Sequence, residues 1–159
     1  MNKRALVKKI IAQLHEELES YSRAARSAHA EATDPQNKAE NKYDTRGLEA
    51  AYLAGAQSRQ AAETQNAIEA FEKLALKDFK AADEIDLSAF VEVETRGERM
   101  FFFLAPCKGG LEVQHNGKEV LVITPQAPLG QQLVGRRSGD RFKWGSGASA
   151  ADYRIFAVA

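Results

Sequence analysis

The sequence predicts an α+β protein, in which an antiparallel coiled-coil helical hairpin precedes a small antiparallel sheet domain with one short helix. Two long stretches have small or apolar residues at the alternating four- and three-residue spacing of a helical seam. After Ala82 the apolar period changes from near 3.6 to 2, and turn residues become frequent. We therefore expect a hairpin domain over residues 1–80 and a sheet domain over residues 81–159.

The first helix is predicted over residues 6–32. This stretch has no proline or glycine, and good or tolerable helix formers fill its polar positions. Its seam consists of Val7, Ile11, Leu14, Leu18, Tyr21, Ala25, Ala28 and Ala32. A helix with one such stripe needs a partner that covers it.

The second helix is predicted over residues 48–79, with a less apolar seam. That seam consists of Ala50, Ala54, Gln57, Ala61, Thr64, Ile68, Phe71 and Ala75. Large residues lie at the outer end of each seam and small residues near the connection, so the two stripes match when the helices run antiparallel. Each arm has about 30 residues and a length of about 45 Å at a rise of 1.5 Å per residue.

The connection over residues 33–47 is the predicted tip of the hairpin. Pro35 and Gly47 interrupt the helical pattern there. The segment is rich in carboxylates, which within and beside it are Glu31, Asp34, Glu40, Asp44 and Glu49. An alternative is that Asp34 and Pro35 open a short helix inside the tip.

The second module is predicted from period-2 runs that are separated by turn residues. The expected strands are residues 89–95, 100–104, 110–114, 119–123, 141–144 and 152–158. Residues 128–134 have helical composition, with Pro128 in the first turn and Gly135 as the stop. Residues 77–86 are the expected hinge between the two modules.

Composition excludes several classes of function. The chain has 22 basic and 22 acidic side chains, so it has no net charge with which to coat a long nucleic acid. No apolar run approaches the roughly 20 residues of a membrane span, and no signal peptide pattern follows the N-terminus. The single Cys107 excludes an intramolecular disulfide and a cysteine-based zinc site. We expect a cytoplasmic monomer that does not bind a membrane.

The most specific motif is PLGQQLVGRRSGD at residues 128–140. It resembles the C-terminal signature of the Gre family of bacterial transcription elongation factors, which has Pro-Leu-Gly, a short helix, Gly, basic residues and Gly-Asp. The segments VLVIT at 120–124 and DYRIFAV at 152–158 are placed as in that family. AENKYD at 39–44 and AAYLAGAQ at 50–57 are similar to its tip, where Glu-Asn and Tyr precede an Ala-rich helix.

This resemblance implies a mechanism. In the Gre family an FKBP-like domain docks on RNA polymerase beside its secondary channel, and the hairpin passes down the channel to the active centre. Acidic tip residues help to hold a second Mg²⁺ and to position the water that cleaves backtracked RNA. The expected partners are therefore bacterial RNA polymerase and the backtracked RNA 3′ end. The protein would bind no cofactor alone and would share Mg²⁺ with the polymerase, as a stimulator of the polymerase's own cleavage.

The resemblance also implies site residues. Gln126, Pro128 and Leu129 correspond to the turn with which the family docks on polymerase. We predict that Asp44 and Glu40 form the catalytic and metal-binding pair, because they lie in the part of the tip that is most similar to the family.

The tip departs from the family's spacing. Cleaving members have an Asp three residues before the Glu of Glu-Asn-Ala-Glu-Tyr, whereas Asn37 precedes Glu40 here. Counted back from the Ala-rich helix, Asp44 takes the Asp place and Gly47 the Glu place. Asp34 or Glu49 could substitute in the pair.

Two alternatives stay open. The family contains non-cleaving paralogues that enter the same channel and modulate or inhibit the polymerase. A peptide-binding or prolyl-isomerase module with a chaperone arm is the other alternative, because an FKBP-like fold can host that activity. Such an arm would need exposed apolar residues near its end.

Overall fold

A computed structural model describes residues 2–35, 45–145 and 150–159. The helices are α1 (Lys3–Thr33), α2 (Arg46–Glu72) and α3 (Pro128–Leu133). The strands are β1 (Phe90–Thr95), β2 (Glu98–Leu104), β3 (Glu112–His115), β4 (Lys118–Ile123), β5 (Arg141–Trp144) and β6 (Ala151–Val158). The predicted α+β class, with a helical hairpin followed by a sheet and one short helix, is confirmed. Within the described ranges no helix is both long and apolar enough to cross a bilayer.

The predicted seam of the hairpin is confirmed by burial. Every seam residue of α1 is buried or half-buried, and so is every seam residue of α2 up to Phe71. The small residues at the far end of α1 and at the start of α2 line one shared cavity. The two helices therefore run antiparallel.

The predicted extension of the second helix to Phe79 is wrong, because α2 ends at Glu72. Beyond Glu72 the backbone forms hydrogen bonds with groups outside the helix. The Lys77 amide donates to Ser88 Oγ at 3.0 Å, and the Lys77 carbonyl accepts a hydrogen bond from the Lys3 ammonium. Phe79 is buried in the core beside the sheet rather than in the helical seam.

The six strands form one sheet in the order β3-β4-β2-β1-β6-β5. Neighbouring strands are antiparallel except β2 and β4, which are parallel with Phe101 opposite Val120. The sheet is therefore mixed rather than wholly antiparallel. Spacing along the sequence did not predict the parallel pair, because β4 is placed between β2 and β3 although it follows β3 in the chain.

Both faces of the sheet carry buried residues. One face belongs to a core that includes Val91, Phe102 and Ile155, to which α3 contributes Leu133. The opposite face of the β2, β3 and β4 region has buried apolar residues, which are Phe103, Val113, Val120 and Val122. The start of α1 is also buried, and the Lys9 ammonium donates to the Gln114 carbonyl of β3 at 2.9 Å.

The chain divides into two compact units. The hairpin unit is Ile11–Glu69, and the sheet unit is Met1–Ile10 together with Ala70–Ala159. This division differs from the predicted boundary at residues 80 and 81, because residues 1–10 and 70–80 belong to the sheet unit. The likeness of the sheet unit to FKBP stays a prediction.

Candidate functional site

The predicted catalytic and metal-binding pair, Asp44 and Glu40, lies outside the described residues. The structure does describe the helix ends on both sides of that segment. At the end of α1, the Thr33 hydroxyl donates to the His29 carbonyl at 2.9 Å. Pro35, which Asp34 separates from the end of α1, has a 3₁₀ conformation at the position where the sequence allowed a second helix start.

Glu49 at the start of α2 has a structural role. Its carboxylate accepts a hydrogen bond from the Thr45 hydroxyl at 2.8 Å, and its amide donates to the Thr45 carbonyl at 2.9 Å. A carboxylate in the first turn also interacts favourably with the helix dipole. Glu49 therefore stabilises the first turn of α2, and recruiting it to a metal would remove this contact.

Among the described side chains, no three His, Cys, Asp or Glu residues converge in a group that could hold a metal ion. Asp34 is exposed at the end of α1, and its amide donates to the Glu31 carbonyl at 3.4 Å. Metal binding by Asp34 or Glu49 thus depends on ligands contributed by residues 36–44 or by a partner.

The distal half of α2 exposes large apolar side chains that sequence analysis missed. The exposed fractions are 58% for Leu48, 72% for Tyr52 and 51% for Leu53. We call these three residues the distal apolar patch. They lie off the Ala50–Ala54 seam, so their spacing relative to that seam was the signal that could have revealed them.

An open groove lies between the distal ends of the two arms. A cavity of about 660 Å³ is lined mainly by small residues, which are Ala25, Ala30, Thr33, Ala51, Ala54, Gly55 and Ser58. Alanine and glycine cannot fill the space between two helices as leucine does. The distal contact between the arms therefore buries less apolar area than a leucine seam would.

The predicted docking turn is held by its backbone. The Ala127 amide donates to the Thr124 carbonyl at 3.1 Å, and Pro128 occupies the first turn of α3. A Cβ on Gly130 would lie 1.9 Å from the Thr124 carbonyl oxygen, so only glycine fits there. The Pro-Leu-Gly of the motif thus presses α3 against the preceding turn.

The second half of the motif also contains residues that the local backbone conformation requires. Gly135 has a φ of 80°, and its amide donates to the Ile85 carbonyl at 2.9 Å. The Arg137 amide donates to Asp140 Oδ2 at 2.8 Å and closes the turn before β5. The motif therefore encodes the local fold of α3 and the turns on either side of it.

The three predicted docking residues lie close together on this turn. Gln126 and Pro128 are exposed, whereas Leu129 is half-buried and packs against the core of the sheet unit. The Gln126 carbonyl accepts a hydrogen bond from Gln131 Nε2 at 3.1 Å. A contact with polymerase by these residues stays a prediction.

Among the described residues of the sheet unit, three titratable groups have shifted pKa values. Burial lowers the pKa of His115, with Lys9 adding to the effect, and neither imidazole nitrogen has a hydrogen-bond partner among the described residues. Burial raises the pKa of the Cys107 thiol, against the influence of Lys108. Burial also lowers the pKa of Lys3, although Asp78 opposes that shift.

Comparison with known proteins gives a consistent set of similar solved structures. GreA factor homolog 1 (Gfh1) of Thermus thermophilus is 21% identical, with 94% of each chain covered and a TM-score of 0.39. Gfh1 of Thermus aquaticus is 20% identical, with 92% of each chain covered and a TM-score of 0.39. The prokaryotic transcription elongation factor GreA/GreB from Nitrosomonas europaea is 19% identical, with 60% of this chain and 78% of that chain covered and a TM-score of 0.37. No protein-family model and no curated protein matches the chain.

Proposed function

We propose that this chain is an RNA polymerase-binding transcription elongation factor of the Gre type, whose hairpin enters the secondary channel of the bacterial enzyme. The observation that carries the proposal is the hairpin itself. Within the hairpin unit its arms are residues 11–33 and 46–69. At 1.5 Å per residue each arm is about 35 Å long. Such arms can deliver the acid-rich segment between them into a deep passage.

The packing of the arms supports this role. Near the tip the seam is built from Ala28, Ala50 and Ala54, and each of these is buried. Small residues at a helix contact allow a short distance between the two axes. A slender distal half suits entry into a narrow channel.

Cleavage stimulation is the first form of the proposal. Asp44 and Glu40 would supply carboxylate oxygens, which are the ligands that Mg²⁺ prefers. Bound there, the ion would stabilise charge on the oxygens that react at the RNA phosphate. The second form is occupancy of the channel without cleavage, as in a non-cleaving regulator. The departure of the tip from the family's spacing favours this second form.

The Pro128 turn is the proposed contact with polymerase. Gln126 and Pro128 are exposed on a backbone that Gly130 and Thr124 hold in place. A rigid exposed turn loses little conformational freedom on binding. We expect Gln126→Ala with Pro128→Ala to weaken polymerase binding about tenfold, which is about 1.4 kcal/mol. Gln13→Ala on the exposed face of α1 is the matched control.

One experiment tests both forms. Backtracked elongation complexes are incubated with the purified protein and Mg²⁺, and the release of short 3′ RNA fragments is measured. Asp44→Asn and Glu40→Gln should each suppress cleavage strongly while polymerase binding is retained, whereas Glu16→Gln with Glu63→Gln on the arms should change neither. Competition with a true Gre factor without cleavage would support the channel-occupying form. Absence of both cleavage and competition would refute the proposal.

The distal apolar patch favours a second candidate function, a chaperone arm. Leu48, Tyr52 and Leu53 are the exposed apolar residues that an arm holding unfolded clients would need. Suppression of the aggregation of a denatured client protein is the test. Leu48→Ser with Tyr52→Ser should abolish such an effect, and a wild-type protein that leaves aggregation unchanged would eliminate this function.

A further inference from the structure

Two arginines face each other on neighbouring strands at one side of the sheet. Arg141 of β5 is directly opposite Arg154 of β6 in the antiparallel register, and both residues are exposed. Directly opposite residues of an antiparallel pair share one face of the sheet, with Cβ atoms about 4.5 to 5.5 Å apart. Like charges in this arrangement destabilise the sheet. The pair is therefore unfavourable for the stability of the sheet.

Two carboxylates, Glu94 and Asp152, lie near the two guanidinium groups without forming an ion pair with them among the described residues. Within the described part of the chain, neither Arg141 nor Arg154 makes an ion pair, although other charged groups of the sheet unit do. Glu94 of β1 is opposite Arg154 in the register but forms no salt bridge with it. Asp152 is opposite Lys143 in the register of β5 and β6.

A third arginine reaches the same place from another turn. A cavity of about 230 Å³ is lined by Arg96, Arg141 and Arg154, together with Glu94 and Asp152. Arg96 lies in the two-residue turn between β1 and β2 and has a φ of 49°, a backbone conformation in which arginine is an unfavourable choice. Two local preferences are therefore violated around one cavity. Such violations concentrate at functional sites.

Protection of the sheet edge explains only part of this arrangement. β5 is an edge strand, and charges on an edge prevent pairing with other chains. Edge protection accounts for Arg141, but it does not account for Arg154 on the inner strand β6 or for Arg96 in the turn. A ligand that all three could contact explains the set.

We propose that Arg96, Arg141 and Arg154 form a binding site for a phosphate group. The planar guanidinium donates two parallel hydrogen bonds to phosphate oxygens, and the three positive charges exceed the two negative charges of Glu94 and Asp152 in the same cavity. Bound phosphate would remove the repulsion between Arg141 and Arg154. A free polyphosphate and the phosphodiester of a nucleic-acid strand both provide this chemistry. The site does not depend on the function of the hairpin.

The test uses the full chain with two probes, inorganic tripolyphosphate and a single-stranded RNA of about 12 nucleotides. This RNA length lies in the upper part of the range that one single-strand-binding domain covers. Binding is followed through the arginine side-chain signals in nuclear magnetic resonance. Arg141→Gln with Arg154→Gln should weaken tripolyphosphate binding roughly tenfold for each arginine. Arg4→Gln with Lys8→Gln removes the same charge from exposed positions of α1 and should leave the affinity unchanged.

The two probes distinguish a free polyphosphate from a nucleic-acid strand as the source of the bound phosphate group. Binding of tripolyphosphate alone would identify a free polyphosphate as the ligand, and binding of both probes, lost together in the double variant, would identify a strand. Equal affinity of the wild type and the double variant would overturn the proposal. The same spectral change with sodium chloride at matched ionic strength would also overturn it.

Stability provides a second measurement. Because the double variant relieves repulsion between like charges, it should be at least as stable as the wild type in the absence of phosphate. Arg154→Lys keeps the charge but loses the paired donors, so it should bind tripolyphosphate with intermediate affinity even if the double variant unfolds. Unchanged binding accompanied by self-association of either variant would show that the arginines only protect the edge, and would refute the site.

Discussion

The sheet unit and the hairpin unit are stabilised in different ways. The core of the sheet unit joins residues that are far apart in the chain, and Val91, Phe102, Leu133 and Ile155 are each at most 1% exposed. The hairpin unit has only a seam, in which each residue is covered by its neighbours across two helices. A change in the sheet unit should therefore act on the whole unit, whereas a change in the hairpin should act locally.

The hairpin also differs along its own length. Leu14 and Ile68 are at most 1% exposed, whereas the distal seam is alanine and the distal apolar patch is open to solvent. Less apolar area is buried per turn near the tip, so the distal turns should open at a lower free energy. Two probes separate the units, because Trp144, the single tryptophan, lies in β5 and the hairpin supplies most of the helical circular dichroism.

The largest effect is expected from Gly130→Ala. The new Cβ would lie 1.9 Å from the Thr124 carbonyl oxygen, so α3 must separate from the preceding turn. We expect the sheet unit to lose about 4 kcal/mol or more of unfolding free energy, as measured by Trp144 fluorescence in urea. Gly109→Ala is the matched control, because its Cβ would meet a Thr124 methyl group at 3.4 Å. A small loss for Gly130→Ala would contradict the importance of this close approach.

The next effect is expected from Leu14→Ala in the proximal seam. Leu14 is fully buried, and its truncation should cost about 2 to 5 kcal/mol of the unfolding free energy of the hairpin, followed by far-UV circular dichroism. Leu53→Ala makes the same chemical change at a residue that is 51% exposed, and should cost less than about 0.5 kcal/mol. Equal losses of unfolding free energy in the two variants would contradict the inferred difference between the proximal seam and the distal apolar patch.

A pH effect is expected from His115 in the sheet unit. Its folded pKa is lowered by burial and by Lys9, so below about pH 6.5 the unfolded chain binds the proton more readily than the folded chain. The contribution of His115 to the unfolding free energy is fully present above that pH. It is lost as the pH falls, by at most about 1.4 kcal/mol per pH unit. His115→Phe should reduce this slope in Trp144 fluorescence, and His15→Gln on exposed α1 should not. An unchanged slope in His115→Phe would exclude His115 as its source.

The smallest expected effect is an increase in the unfolding free energy of the hairpin from Gly55→Ala. Glycine inside a helix costs about 0.5 to 1 kcal/mol relative to alanine, and the new methyl group would meet only Arg59 Nη1 at 3.6 Å. Helical circular dichroism should report this increase in unfolding free energy, while Trp144 fluorescence should not change. A simultaneous change in both probes would show that the units unfold together.

Only part of the candidate functional surfaces was predicted from the sequence. The turn at Gln126, Pro128 and Leu129 was located from the motif, because proline and glycine impose their backbone conformations locally. The exposure of Leu48 and Tyr52 was missed, although both lie off the Ala50–Ala54 seam, because position relative to a seam does not exclude that another element covers the residue. The arginine pair was also missed, because Arg141 and Arg154 become opposite only through the register of β5 and β6.

The sequence by itself determined the two helices, the strands, the α3 segment and the change of module, since each depends on periodicity or on local backbone preferences. Tertiary structure alone decided that α2 ends at Glu72 and that the Lys77 backbone beyond it forms hydrogen bonds with Ser88 and Lys3. It also decided that β4 pairs with β2 in parallel and that His115 is buried. These outcomes depend on contacts between distant residues, whose free energies no local pattern encodes.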